Sequence, residues 1–258
     1  GYDRPHYANV AFPWDGRQDI KSGELPIDFN PVANYVKYFT LPEGFTKESI
    51  VLRLEGVESA AAIWLNGNYI GYAEDSFTPS EFDLTGHIIV GENKLAIQVI
   101  KWCSGSWLED QDFFRFSGIF RDIYLYTKPE CHLEDIDIKQ VFNNKLFNNV
   151  NLDILLKINN NAFIKLTLFD ALDRTLTKNR YKNIYELSVI EKISENLSTG
   201  ESKFSITINE PKLWSAEKPY LYTLLFEIFD GENLSEVCSI NVGIRHFAKN
   251  SNNVMELN

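Results

Sequence analysis

The chain has 258 residues, enough for one large or two ordinary domains. Its formal net charge of −11 argues against nonspecific binding to nucleic acid or to anionic membranes. Three scattered cysteines (Cys103, Cys131, Cys238) form no C-x-x-C pair, which argues against a zinc cluster and a disulfide framework. Reduced thiols and a cytoplasmic location are therefore expected. No apolar run approaches the roughly 18 residues of a membrane span. The start at Gly1-Tyr-Asp-Arg, without an initiating methionine, leads us to expect a piece of a longer protein.

Residues 1–33 are rich in proline and aromatics without a sustained period, and read as an extended arm lying on the rest. Short alternating runs follow, predicting strands over 35–41, 50–55, 61–65, 69–72, 94–100 and 119–126. Asn66-Gly67 between the third and fourth is a strong hairpin signal. This spacing predicts a sandwich of two antiparallel sheets over 1–128. Thr127-Lys-Pro-Glu130 marks a boundary. Beyond it, strands are predicted over 133–141, 151–159, 164–170, 186–193, 203–208, 220–229 and 236–242. Seven strands are the number expected of an immunoglobulin-like sandwich, assigned to 129–248. Leu152, Ile154, Leu156 and Ile158 should face its core while Asp153 and Lys157 face water. Residues 249–258 are expected to begin a link to a further domain.

Chemistry concentrates in Trp102–Asp122, where Glu109, Asp110 and Asp112 stand beside Trp107, Phe113 and Phe114. Rings that pack on the C–H face of a pyranose, next to carboxylates that accept its hydroxyls, suit a sugar. The alternative is a polar loop whose acids are held by Arg115 and Arg121 and whose rings belong to the core. The four histidines (His6, His87, His132, His246) are too dispersed for a metal site or a triad. Neither a nucleophile elbow nor a phosphate-cradling glycine loop is present.

The run Ser106-Trp-Leu-Glu-Asp-Gln-Asp-Phe-Phe-Arg-Phe-Ser-Gly-Ile-Phe-Arg-Asp122 resembles the signature of the bacterial β-galactosidases of glycoside hydrolase family 2. Tyr2-Asp-Arg-Pro-His-Tyr-Ala-Asn-Val-Ala-Phe-Pro13, Trp64-Leu-Asn-Gly-Asn-Tyr-Ile-Gly-Tyr72, Asp75-Ser-Phe-Thr-Pro-Ser-Glu-Phe-Asp-Leu84, Leu213-Trp-Ser-Ala-Glu-Lys-Pro-Tyr-Leu-Tyr222 and Val242-Gly-Ile-Arg245 match the same family in order. The resemblance implies an all-β chain: a jelly-roll (galactose-binding-like) sandwich followed by an immunoglobulin-like sandwich. It places the acid/base and nucleophile glutamates in a downstream barrel, so this chain alone is expected to be inactive. Its own acids agree, because a glycosidic bond needs two carboxyls on opposite sides, whereas Asp110 and Asp112 approach along one backbone.

The resemblance further implies that Asp112 accepts galactose hydroxyls and helps to ligate a sodium ion, and that Asn9 reaches the same pocket. A salt bridge from Asp112 to Arg115 or Arg121 is the alternative. Ala8 and Ala11 replace two threonines of the family pattern beside Asn9. Glu109 and Asp110 are expected to be structural, with Asp110 orienting Arg115 and Arg121 pairing with a carboxylate. Trp64, Trp107 and Trp214 are expected to pack. Trp14 opens a segment, 14–23, that departs from the family pattern and is expected at a pocket rim or subunit contact. A magnesium ion is expected in the barrel. Expected partners are a β-galactoside, the catalytic barrel of the same polypeptide and further copies in a homo-oligomer, with neither nucleic acid nor membrane. The rival readings are an autonomous carbohydrate-binding module, a structural interaction domain, and β-glucuronidase or β-mannosidase specificity within the family.

Overall fold

Alternation decides the strands. In Ile50–Leu54, Ala60–Leu65 and Glu92–Ile100, every second side chain (Ile50, Leu52, Leu54; Ala61, Ile63, Leu65; Leu95, Ile97, Val99) turns into one core. The computed structural model describes residues 5–8, 12, 14–15, 18–43, 45, 49–109, 112–144, 146–173 and 188–258. Contacts divide the chain into two units, Gly1–Lys128 and Pro129–Asn258.

In the first unit an antiparallel sheet runs in the order Val32–Thr40, Glu92–Ile100, Ala60–Leu65, Asn68–Glu74. A second sheet, Ile123–Thr127, Ile50–Leu54 and Ser80–Asp83, completes the jelly-roll sandwich. Asn66 and Gly67 both take positive φ, 52° and 84°, as a two-residue hairpin turn with strand-matched twist requires. The predicted strand over 119–126 is in fact two, Gly118–Ile119 and Ile123–Thr127. Gly118 and Ile119 pair with Glu58 and Val57, and pairing resumes at Ile123 with Leu54. Between them the Gly56 carbonyl accepts from both Phe120 N (3.3 Å) and Arg121 N (3.4 Å), so the strand bulges. A Cβ on Gly56 would lie 2.9 Å from both the Phe120 ring and the Arg121 side chain, which is why glycine stands at the bulge.

The second unit has a three-stranded sheet of Leu133–Phe142, Asn149–Ile158 and Gly200–Asn209. Facing it is a four-stranded one of Val189–Leu197, Ala162–Asp173, Tyr220–Asp230 and Asn233–Val242. This is the immunoglobulin-like arrangement. Leu152, Ile154, Leu156 and Ile158 are buried while Asp153 and Lys157 are exposed, as the alternation predicts. The strand expected from 186 is observed from Val189; 186 and 187 lie outside the described residues. Tyr222, 2% exposed, accepts a bond from Lys212 N (2.8 Å), tying the start of its strand to the preceding connection. Phe247–Lys249 and Met255–Leu257 pair in a short hairpin. Among the described residues no helix is long and apolar enough to cross a membrane.

Candidate functional site

The signature run is a loop stapled to the first sandwich by one acid of its own, Glu109, and one of the sandwich, Glu74. It opens with a single 3-10 turn, Ser104–Trp107. Glu74, at the end of the edge strand Asn68–Glu74, accepts from Ser104 Oγ (2.6 Å), Gly105 N (3.0 Å) and Tyr72 OH (2.7 Å). Burial pushes the Glu74 carboxyl upward, but these three bonds outweigh it and leave its pKa below the ordinary carboxylate value. Glu109 grips Ser76 twice, accepting from its N–H (2.8 Å) and its hydroxyl (2.7 Å). Glu109 is therefore structural, as the sequence suggests. Asp110 lies outside the described residues.

Beneath the loop is an aromatic nest. Trp14 is 1% exposed, stacked on Phe12 (centroids 5.1 Å apart) and packed against Trp102 (5.6 Å) and Trp107 (4.9 Å). Trp14 itself therefore packs inward, because two indoles offer its ring a dry surface. Each buried Trp removes roughly 200 Å² from water, on the order of 5 kcal/mol before chain entropy is counted. Asn30 clamps Trp102, donating to its carbonyl and accepting from its N–H (both 2.9 Å). Trp107 Nε1 donates to the Glu24 carbonyl (2.8 Å), so Trp107 packs. Trp64 is half-buried against Tyr69 (5.5 Å), and Trp214 lies beneath Arg245, whose guanidinium is 5.2 Å from the ring.

The loop leaves by the strand Phe113–Arg115, which pairs antiparallel with His6–Ala8. Here the extended arm lies on the body of the sandwich. Ala8, one residue before Asn9, is paired with Phe113, one residue after Asp112. Asn9 itself lies outside the described residues. Asp112 is exposed, and its Oδ1 accepts the Tyr7 hydroxyl. Tyr7 packs on Phe114 (5.3 Å), and both rings are about half exposed. The surface thus carries a carboxylate at the hydroxyl end of a packed pair of aromatic rings.

The two arginines contact rings and main-chain carbonyls, and the expected pairing of Arg115 with Asp110 lies outside the described residues. Arg115 is 2% exposed, with its guanidinium 5.8 Å from the Trp102 ring and Nη2 3.4 Å from the Ser106 carbonyl. Arg121 was expected to meet a carboxylate; instead it donates to the main-chain carbonyls of Phe77 (2.7 Å) and Glu55 (3.3 Å) and lies over Phe120 (5.3 Å). The bulge at Gly56 turns Glu55 and Phe120 toward it, so backbone oxygens are the nearest acceptors.

One buried acid was missed. Glu58, on the strand Val57–Glu58, is 3% exposed, and desolvation pushes its carboxyl up to about 7. Its signal was present: a charged residue inside the apolar run from Val57 to Leu65 is one the interior rarely accepts. No group of three or more His, Cys, Asp or Glu side chains converges among the described residues. Cys103, Cys131 and Cys238 are free thiols.

Two successive antiparallel sandwiches, the first with a stapled acidic and aromatic loop, define an all-β tandem module. Residues 1–129 match the model of the glycosyl hydrolases family 2 sugar binding domain, and residues 131–245 match the following domain of glycosyl hydrolases family 2. The chain is 40% identical over 262 residues to a β-galactosidase of Halalkalibacterium halodurans, covering 100% of this chain and 24% of that protein. It is 38% identical to the β-galactosidase large subunit of Lactobacillus helveticus, covering 100% of this chain and 41% of that one. Among solved structures, a β-glycosidase from Bacteroides vulgatus superposes with a TM-score of 0.71 at 22% identity, covering 95% of this chain and 29% of that one. A β-glucuronidase from Bacteroides uniformis gives 0.70 at 22% identity, covering 89% and 28%. This chain belongs to glycosyl hydrolase family 2, and it spans about a quarter of the length of the first of these relatives.

Proposed function

We propose that the chain is the N-terminal, non-catalytic portion of a β-galactosidase that hydrolyses terminal β-D-galactosides with retention. The observation that carries this reading is identity of 36–40% over nearly the whole chain to several proteins named β-galactosidase. Asp112 supports a role in positioning. Its exposed carboxylate offers only acceptors, one of them engaged by Tyr7, so correctly placed sugar hydroxyls are held and misplaced ones are left unpaired. Asn9, next to the paired Ala8, is proposed as the second sugar contact. The two catalytic carboxyls come from a barrel beyond this chain, because flanking a glycosidic bond requires acids about 5–5.5 Å apart on separate elements.

A sodium ion at Asp112 would draw one carboxylate from this chain and its remaining oxygen ligands from elsewhere, since no cluster of acids surrounds Asp112 among the described residues. Magnesium belongs to the barrel. Further copies of the chain are proposed partners, and the free thiols support a reducing, cytoplasmic setting.

The test is a chimera in which this chain replaces the matching quarter of the Halalkalibacterium halodurans enzyme. It should cleave o-nitrophenyl β-D-galactoside and spare the glucuronide. Asp112→Ala should lower kcat/KM about 100-fold, the loss of two hydrogen bonds to a charged acceptor. A folded chimera that prefers the glucuronide, or is indifferent to Asp112→Ala, would overturn the reading.

A further inference from the structure

Two adjacent buried residues, Glu58 and Ser59, hold the two ends of the loop that carries Asp112. Ser59 holds the incoming end. Its N–H donates to the Ile100 carbonyl (3.2 Å) and its hydroxyl to the Lys101 carbonyl (2.8 Å). The same hydroxyl accepts from Ser106 Oγ (3.3 Å), which in turn accepts from Cys103 N (3.0 Å). Glu58 holds the outgoing end. Strand pairing passes there from His6–Ala8, opposite Phe113–Arg115, to Val57–Glu58, opposite Gly118–Ile119. Phe116 lies between the two ladders, where a main-chain N–H needs another acceptor. The Glu58 carboxyl accepts it. Gly118 takes φ +81°, and a Cβ there would lie 2.3 Å from the Tyr35 hydroxyl, so glycine lets the chain enter the second ladder beside that ring. Arg115 joins the two ends: its guanidinium faces Glu58, and its Nη2 lies 3.4 Å from the Ser106 carbonyl.

An apolar pair at 58 and 59 would fill the same interior but offer the loop no acceptor. Asp112 adjoins Phe113, the first residue of the paired strand, so the grip on Phe116 and Arg115 acts close to its carboxylate. Displacing a substrate-contacting group by about 1 Å can cost roughly 100-fold in rate, and buried supports are what prevent it. We infer that Glu58 and Ser59 are positioning residues for Asp112: neither contacts sugar, and together they fix where its carboxylate stands by anchoring both ends of its loop. The inference rests on Asp112 being the sugar contact.

The test uses the same chimera and substrate. Glu58→Met should lower kcat/KM about tenfold, the loss of one well-placed hydrogen bond to a charged acceptor. Glu58→Gln keeps an acceptor for Phe116 N–H and should restore kcat/KM to within about twofold of the wild type. Ser59→Ala should lower it about fivefold. The decisive readout is the double variant. In an Asp112→Ala background, Glu58→Met and Ser59→Ala should each change kcat/KM less than about twofold, because the group they position is gone. Folding of each variant is checked by its unfolding midpoint. Four results would overturn the inference: full losses persisting without Asp112; unchanged kcat/KM in a folded single variant; no rescue by Glu58→Gln; or failure of both single variants to fold, which would make the pair part of the fold. Indifference to Asp112→Ala would overturn the proposed function and this inference with it. A roughly 100-fold loss there, beside an unchanged Glu58→Met, would overturn this inference alone.

Discussion

The two sandwiches bury different chemistry. The second encloses aliphatic and aromatic side chains in clean alternation, and its buried polar residues among those described are Thr167 and Thr223. The first buries Glu58, Ser59, Ser76, Asn93, Lys101, Ser106 and Arg115. It also holds buried atoms without hydrogen-bond partners among the described residues, including Trp14 Nε1, Trp102 Nε1, Glu58 Oε2 and Ser117 Oγ. A sequence selected only to fold avoids such groups, so the two units differ in what their interiors tolerate.

Mutations sharpen this contrast. Phe226 is fully buried, and Phe226→Ala should cost about 3–5 kcal/mol in urea unfolding. Trp14→Phe, although it touches an equally buried ring, should cost less than about 1.5 kcal/mol, because it removes an N–H that has no partner among the described residues. Equal losses would collapse the distinction.

Glu58→Gln should do the opposite and stabilise. Glu58 faces Arg115 and Lys101, which favour its charge, and Glu109, which opposes it, but desolvation dominates and raises it from 4.5 to about 7. The folded state therefore favours the protonated acid. That advantage is complete below about pH 4.5 and disappears as pH rises through about 7, where a buried carboxylate remains. The variant should match the wild type near pH 4 and exceed it by roughly 3 kcal/mol near pH 8. A pH-independent difference would remove Glu58 as the cause.

Gly118→Ala should cost about 2 kcal/mol, from the positive φ and the encounter with Tyr35, as measured by the unfolding midpoint. The smallest effect is expected for Tyr7→Phe. Tyr7 is half exposed, so losing its bond to Asp112 should shift stability by no more than about 1 kcal/mol while leaving Asp112 more open to solvent. A larger loss would make the Tyr7–Asp112 pair part of the fold.

Much of this was legible in the residues. The strands of the second unit followed from period-two alternation, and the Asn66-Gly67 turn from the two positive φ values that it needs. The loop at 102–122 stood out by composition alone. The misses share a cause. The break in 119–126 depends on Gly56, more than sixty residues earlier, whose missing side chain lets Phe120 and Arg121 crowd in. Burial of Trp14 depends on Trp102 and Trp107, far along the chain.

The sequence by itself determined the all-β architecture and singled out the acidic and aromatic loop at 102–122, because strand period, turn residues and local composition are properties of neighbours. Only the tertiary structure decided which acids are engaged by distant partners. Glu109 closes on Ser76, 33 residues away, and Glu74 on Ser104, 30 away, whereas Glu58 Oε2 meets no hydrogen-bond partner among the described residues. Whether a buried polar atom is satisfied depends on what long-range pairing brings beside it, and one-dimensional pattern carries no record of that.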